Sequence, residues 1–121
     1  MIINANNINP TYGNWFCIEG TVDTAEIVPA IANKRIVVKY VSLHYKQTAG
    51  TSGEAVGVNG TMNGIESYMF YVMFAPNVAA SGNYNIPCEI MCDENTNLRM
   101  HVNGSPQLAI AVVMGYYQDV W

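Results

Sequence analysis

Charged side chains are scarce in this sequence. Lys, Arg, Asp and Glu together make up 12% of the 121 residues, about half of the share that is usual in soluble domains. The net charge is −4 at pH 7, so the chain lacks the positive excess that would attract nucleic acid or an anionic membrane. We therefore expect neither as a partner. A surface so poor in charge is typical of a protein that is partly covered by other subunits.

Cysteine and long apolar runs are also in short supply. The three thiols, Cys17, Cys88 and Cys92, cannot all pair with one another. No basic segment leads into a long apolar run near Met1, so a signal peptide is not expected. The longest apolar run, LAIAVVM, is too short to cross a bilayer. These absences predict synthesis in a reducing cytoplasm, with free thiols.

Helical periodicity is missing as well. The nearest candidate, TAEIVPAIAN, is interrupted by Pro29. Apolar residues alternate instead, and turn-rich segments such as QTAGTSGE and DENTN separate the alternating runs. The predicted strands cover residues 15–22, 27–31, 35–46, 55–58, 67–75, 84–92, 98–103 and 108–117. Seven or eight such strands predict an all-β fold, an antiparallel β-sandwich of jelly-roll type.

The same pattern predicts the organisation of the chain. Residues 1–14 are rich in Asn and show no alternation, which predicts an N-terminal arm that becomes ordered on a neighbour. Residues 15–121 contain no linker and no repeat, and they predict one β-sandwich domain. The alternation of RIVVKYVSLHYK slips by one residue, which predicts a β-bulge at Tyr40-Val41. The Asn59-Gly60 and Asn103-Gly104 pairs predict tight turns.

The last predicted strand is apolar on both faces. Leu108, Ile110, Val112 and Met114 share one face, and small residues share the other. Each sheet of a two-layer sandwich has a single inner face, so the second apolar face needs cover. Small residues allow another backbone to approach closely, which favours a subunit interface on their side; cover by the protein's own loops is the alternative. The predicted interface residues are Ala109, Ala111, Val113, Gly115, Tyr117 and Trp121.

Little in the sequence predicts catalysis. His44 and His101 each fall on the outward face of a predicted strand, and the acidic residues are scattered, so no nucleophile, base and orienting group are grouped by spacing. Cys88 and Cys92 share a strand face but would lie about 13 Å apart, too far to hold one metal ion. Pro87 predicts that their strand lies at a sheet edge. We predict a protein that is not an enzyme and has no catalytic residue, cofactor or metal.

Aromatic residues near the two ends of the chain indicate an alternative function. Tyrosine and tryptophan rings stack on the apolar faces of sugars, and Asn and Asp side chains form hydrogen bonds with sugar hydroxyls. The candidate residues are Tyr12, Trp15, Tyr116, Tyr117 and Trp121. Glycan binding by a lectin-like β-sandwich is therefore the second hypothesis.

Two segments resemble proteins of a known kind. ANKRIVVKYVSLHYKQTAGTSG is similar to a strand and loop that recur in small virion proteins of tailed bacteriophages, and NLRMHVNGSPQLAIAVVMGYYQ resembles the closing hairpin of the same β-sandwiches. The resemblance implies a homotrimeric structural protein of the virion, made in the host cytoplasm. Its implied role is head decoration, stabilising the capsid on the major capsid protein or other virion proteins. The alternative is a phage tail or receptor-binding module, or a cellular lectin, that binds glycans.

Overall fold

The computed structural model of the chain describes residues 14–120. Residues 1–13, which make up most of the predicted arm, and Trp121 lie outside the described residues. All eight predicted strands are present, with ends that differ by a few residues. The strands are β1 (Asn14–Gly20), β2 (Glu26–Val28), β3 (Lys34–Gln47), β4 (Ala55–Met62), β5 (Ile65–Met73), β6 (Ala80–Glu94), β7 (Leu98–Asn103) and β8 (Leu108–Asp119).

The strands form two four-stranded antiparallel sheets. Sheet I has the order β1-β8-β3-β6, and sheet II has the order β2-β7-β4-β5. The first strand pairs with the eighth, the second with the seventh, the third with the sixth and the fourth with the fifth. Such nested pairs arise when one long antiparallel hairpin folds over to form two facing sheets. This topology is the jelly roll. The predicted β-sandwich is confirmed, and β6, which carries Pro87, is an edge strand as predicted.

The core lies between the inner faces of the two sheets. Phe16, Leu43 and Val113 from sheet I face Val56 and Leu98 from sheet II, and none of them is more than 1% exposed. Apolar burial of this kind supplies the main driving force for folding. The core therefore fixes which face of every strand remains for contacts outside the domain.

A β-bulge keeps the long strand β3 apolar on its inner side. The pairing of β3 with β8 shifts register between Val38 and Tyr40, where two steps along β3 match one step along β8, and this makes Lys39 the additional residue. Val38 and Val41 are therefore both fully buried, although they are three residues apart. The predicted bulge exists but lies one residue earlier than Tyr40-Val41.

One of the two predicted Asn-Gly turns is wrong. The Asn59-Gly60 pair lies inside β4, where a register shift against β5 accommodates it. The turn from β4 to β5 is made instead by Asn63 and Gly64, whose φ angles are 55° and 79°. Gly104, with φ 80°, ends β7 as predicted. The Asp93 carboxylate of β6 accepts hydrogen bonds from the backbone N–H groups of Asn63 and Gly64 at 2.9 and 2.6 Å.

Candidate interaction surfaces

The small-residue face of β8 lies in the core of the domain. Ala111 and Val113 are 0% exposed, Gly115 is buried, and Ala109 is half-buried against the core. A Cβ atom on Gly115 would lie 2.1 Å from the Val37 carbonyl oxygen. These residues are covered within the chain itself, so the predicted subunit interface on this face is wrong for all four, and Trp121 lies outside the described residues.

Cross-strand neighbours explain why these residues are small. Phe16 on β1 is the partner of Gly115, and on β3 Leu43 is the partner of Ala111. Close packing in a core requires large side chains beside small ones. The alternation of β8 showed two apolar faces, but only the neighbouring strands reveal that the small one faces inward.

Tyr117, also predicted at the interface, is a core residue with a buried hydroxyl. The ring is 6% exposed, and its hydroxyl donates a 2.6 Å hydrogen bond to the Pro29 carbonyl oxygen. Burial, together with the negative charge of Glu26, raises the pKa of Tyr117 from 10 to about 12. The phenol is thus held neutral between the two sheets and is not available to a subunit or a sugar.

This phenol predicts a loss of stability at high pH. Its folded-state pKa exceeds its unfolded value, so the stabilisation is complete below pH 10 and is lost as the pH rises from 10 to about 12. At about 1.4 kcal/mol per pH unit the loss is at most about 3 kcal/mol. Urea unfolding at pH 9 and pH 11.5 should show it in the wild type, and Tyr117→Phe should show a smaller difference. An equal alkaline loss in both proteins would contradict this role of Tyr117.

The other face of β8 is apolar and turned away from the core. It carries Tyr116, which packs against Trp15 of β1 with ring centroids 4.9 Å apart. Val37 of β3 pairs with Tyr116 and is 1% exposed, although it does not belong to the core cluster. We call this surface the outer face of sheet I. Its apolar residues are Trp15, Cys17, Val37, Tyr40, Leu108, Ile110, Val112, Met114 and Tyr116.

Polar side chains surround this apolar centre. Glu19 on β1 is the cross-strand neighbour of Val112, and on the β3 side His44 and Lys46 stand beside the first residues of β8. Most β8 residues on this face are half-buried by their neighbours, and Leu108 is 37% exposed. An apolar centre with a polar rim is the usual anatomy of a protein–protein interface.

The outer face of sheet II carries a separate aromatic cluster. The Tyr68 ring lies 5.0 Å from the Tyr71 ring and 4.4 Å from the His101 ring, measured between centroids. Tyr68 and Tyr71 are three residues apart and would fall on opposite faces of a regular strand. The register shift in β5 skips Met69, which brings both rings to one face. No local pattern in the sequence indicates this bulge, so the cluster was not predicted.

A cleft of about 500 Å³ opens at one end of the sandwich. It lies between the β1–β2 loop and the β7–β8 turn, with Val22, Pro106 and Leu108 among its walls. Asp23 also lines the cleft, and its carboxylate accepts a 2.8 Å hydrogen bond from the Val102 backbone N–H. That acid therefore holds the loop in place.

The cysteines are free thiols, as predicted. Burial, with a further contribution from Asp93, raises the pKa of Cys92 to about 11, and its sulfur lies 3.9 Å from the Met69 sulfur. Burial also raises the pKa values of Cys17 and Cys88. No three His, Cys, Asp or Glu side chains among residues 14–120 are grouped as metal ligands. Within that range no helix is long and apolar enough to span a membrane.

Comparison with protein-family models, with curated proteins and with solved structures gave no match. The two outer faces are therefore interpreted from their own geometry and chemistry.

Proposed function

We propose that this chain is a non-enzymatic structural protein that assembles with copies of itself through the outer face of sheet I. The observation that carries the proposal is the second apolar face of β8, which the described residues cover only in part. Soluble monomers rarely leave a large contiguous apolar surface in water. Such a face is stable in solution when another molecule covers it.

The charges at the rim favour a second copy as the molecule that covers it. Glu19 lies on one flank of the apolar centre, and His44 and Lys46 lie on the other. A copy turned about an axis along β8 places its acidic flank over the basic flank of the first. Electrostatic complementarity of this kind selects the partner and its orientation. One further copy is enough to cover this face. A trimer is implied only by the resemblance to phage proteins.

We place the assembled protein in a bacteriophage particle, as a capsid decoration protein on the major capsid protein. Support comes from the sequence resemblance and from the fold class, since jelly rolls include many viral capsid domains. Jelly rolls also include lectins, and a fold alone does not determine function. Assembly through the outer face of sheet I is thus the part of the proposal that is supported by this chain's own residues.

Alkylation of Cys17 tests the assembly face. Cys17 is half-buried on the outer face of sheet I, beside Met114. We expect iodoacetamide to modify it at submicromolar protein and to modify it at least tenfold more slowly at tens of micromolar. Cys88 is the internal control, because it is also half-buried but its thiol points to the Val38 carbonyl oxygen, 3.6 Å away. A Cys17 rate that does not depend on protein concentration, while Cys88 behaves as a control, would count against assembly through this face.

Glycan binding is the second candidate function, and one observation favours it. Of the set predicted near the chain ends, Tyr117 is buried and Trp15 packs against Tyr116, while Tyr12 and Trp121 lie outside the described residues. The cluster of Tyr68, Tyr71 and His101 does expose aromatic rings on one surface. A phage tail module or a cellular lectin would use such a surface, and its test is the binding of soluble oligosaccharides.

A further inference from the structure

The cleft at the end of the sandwich is continuous with the outer face of sheet I. Leu108 and Ile110 belong to that face, and both also line the cleft. Val22, which lines the cleft from the β1–β2 loop, is 63% exposed. A copy that covers the outer face of sheet I therefore also reaches the cleft.

The cleft contains a carboxylate that can accept a cation. Asp23 is exposed, and within residues 14–120 it forms no ion pair. Its hydrogen bond from the Val102 backbone N–H uses only part of its capacity, because a carboxylate has about four acceptor sites. A positively charged side chain that enters the cleft would therefore find a partner there.

Lys46 is a cation without an acidic partner among residues 14–120. The other two lysines of the chain form ion pairs with carboxylates of β8 and β6. Lys46 is exposed near the end of β3, on the outer face of sheet I, and it is the cross-strand neighbour of Leu108 on β8. Lys46 and Asp23 thus lie at the same end of β8, on its two opposite flanks.

A second copy turned about an axis along β8 brings these two charges together. Such a rotation exchanges the β1 flank and the β3 flank of the face, but it keeps every residue at its own position along β8. Lys46 of a second copy therefore lies over the β1 flank at the position of Leu108, where the cleft lies. Opposite charges that meet in this way determine the orientation of a contact.

We infer that the cleft binds the Lys46 side chain of a second copy, whose ammonium group pairs with Asp23. The inference rests on the proposed assembly and names a contact within it. The methylene stem of a lysine packs on apolar surface while its charged end reaches a polar group. This suits a cleft that has Val22, Pro106 and Leu108 among its walls. The rotation forms the contact twice, once in the cleft of each copy.

A double-mutant cycle tests this contact, with association of the full chain followed by sedimentation velocity. Lys46→Met keeps most of the stem and removes the charge, and we expect it to weaken association about tenfold. Asp23→Asn removes the other charge but keeps an oxygen that can accept from Val102, and a similar loss is expected. In the Asp23→Asn chain, Lys46→Met should have a further effect of about twofold or less, because the partner charge is already absent.

Lys34→Met is the matched control. It removes the same charge from the other end of β3, where Lys34 pairs with Asp119 of its own chain, and it should associate as the wild type does. Circular dichroism checks the folding of each variant. If Asp23→Asn does not fold, Lys46→Arg and Lys46→Glu take its place. The first should retain most of the affinity, and the second should lose about 100-fold, because it would place two carboxylates together.

The inference is overturned if Lys46→Met associates as tightly as Lys34→Met, or if its effect is equally large in the wild-type and Asp23→Asn chains. Equal association of Lys46→Arg and Lys46→Glu overturns it as well. If Cys17 is protected at high protein concentration while Lys46→Met has no effect, only this contact fails and assembly through the outer face of sheet I stands. A wild type that does not associate contradicts both.

Discussion

Ala111→Glu is expected to unfold the chain. It is not expected to give a folded chain that has only lost its assembly. Ala111 is 0% exposed in the middle of sheet I, with Gly20 and Leu43 as its cross-strand partners. A carboxylate there would be buried without a partner, at a cost of about 3 to 5 kcal/mol. Domains of this size are stable by only about 5 to 15 kcal/mol. The added volume of the side chain increases the loss, because a close-packed core has no room for it.

Circular dichroism and urea unfolding measure this effect. The wild type should show a cooperative transition, and the variant should show none or one at a much lower urea concentration. A folded Ala111→Glu with the wild-type midpoint and a lower molar mass would contradict the structure. That result would indicate that the small-residue face of β8 is a subunit interface.

Met114→Glu is expected to have the opposite result, a folded chain that no longer assembles. Met114 lies three residues from Ala111 but on the outer face of sheet I, between Cys17 and Tyr40. In a single chain the new carboxylate remains half in water, and its cross-strand neighbours are uncharged. In the assembly it would be buried, and about 3 kcal/mol of cost corresponds to association about 100-fold weaker.

Sedimentation velocity over a range of concentrations measures the change in association, with circular dichroism as the check on folding. Val78→Glu is the control, because Val78 is a 55% exposed apolar residue in the β5–β6 loop, outside the outer face of sheet I. It should assemble as the wild type does. If Met114→Glu assembled as tightly as Val78→Glu, the outer face of sheet I would not be the contact surface.

The strand content of the fold was predictable, because alternation and turn residues are local signals. Eight strands follow from them, and the slip in RIVVKYVSLHYK predicted a bulge to within one residue. Asn59-Gly60 was wrongly predicted as a turn, since the same dipeptide also fits inside a strand whose partner carries the bulge, here at Met69. Local pattern alone does not distinguish these two uses.

The interaction surfaces were less predictable, because they depend on neighbouring strands. Alternation divides β8 into two apolar faces. Which of them packs in the core depends on Phe16 and Leu43, which are distant in sequence. Val37 faces away from the core, yet its neighbours on the outer face leave it 1% exposed, which alternation within β3 does not indicate. The contact between the Tyr68 and Tyr71 rings depends on a bulge that no pattern in YMFYVMF indicates.

The molar mass of the wild type in solution is the most direct test of assembly through the outer face of sheet I. Light scattering coupled to gel filtration, with the chain loaded at tens of micromolar, should give a multiple of the 13.3 kDa chain mass. The resemblance to phage decoration proteins predicts a multiple of three. Met114→Glu, measured in parallel, should elute at the mass of one chain. A wild type of 13.3 kDa at that concentration would contradict assembly.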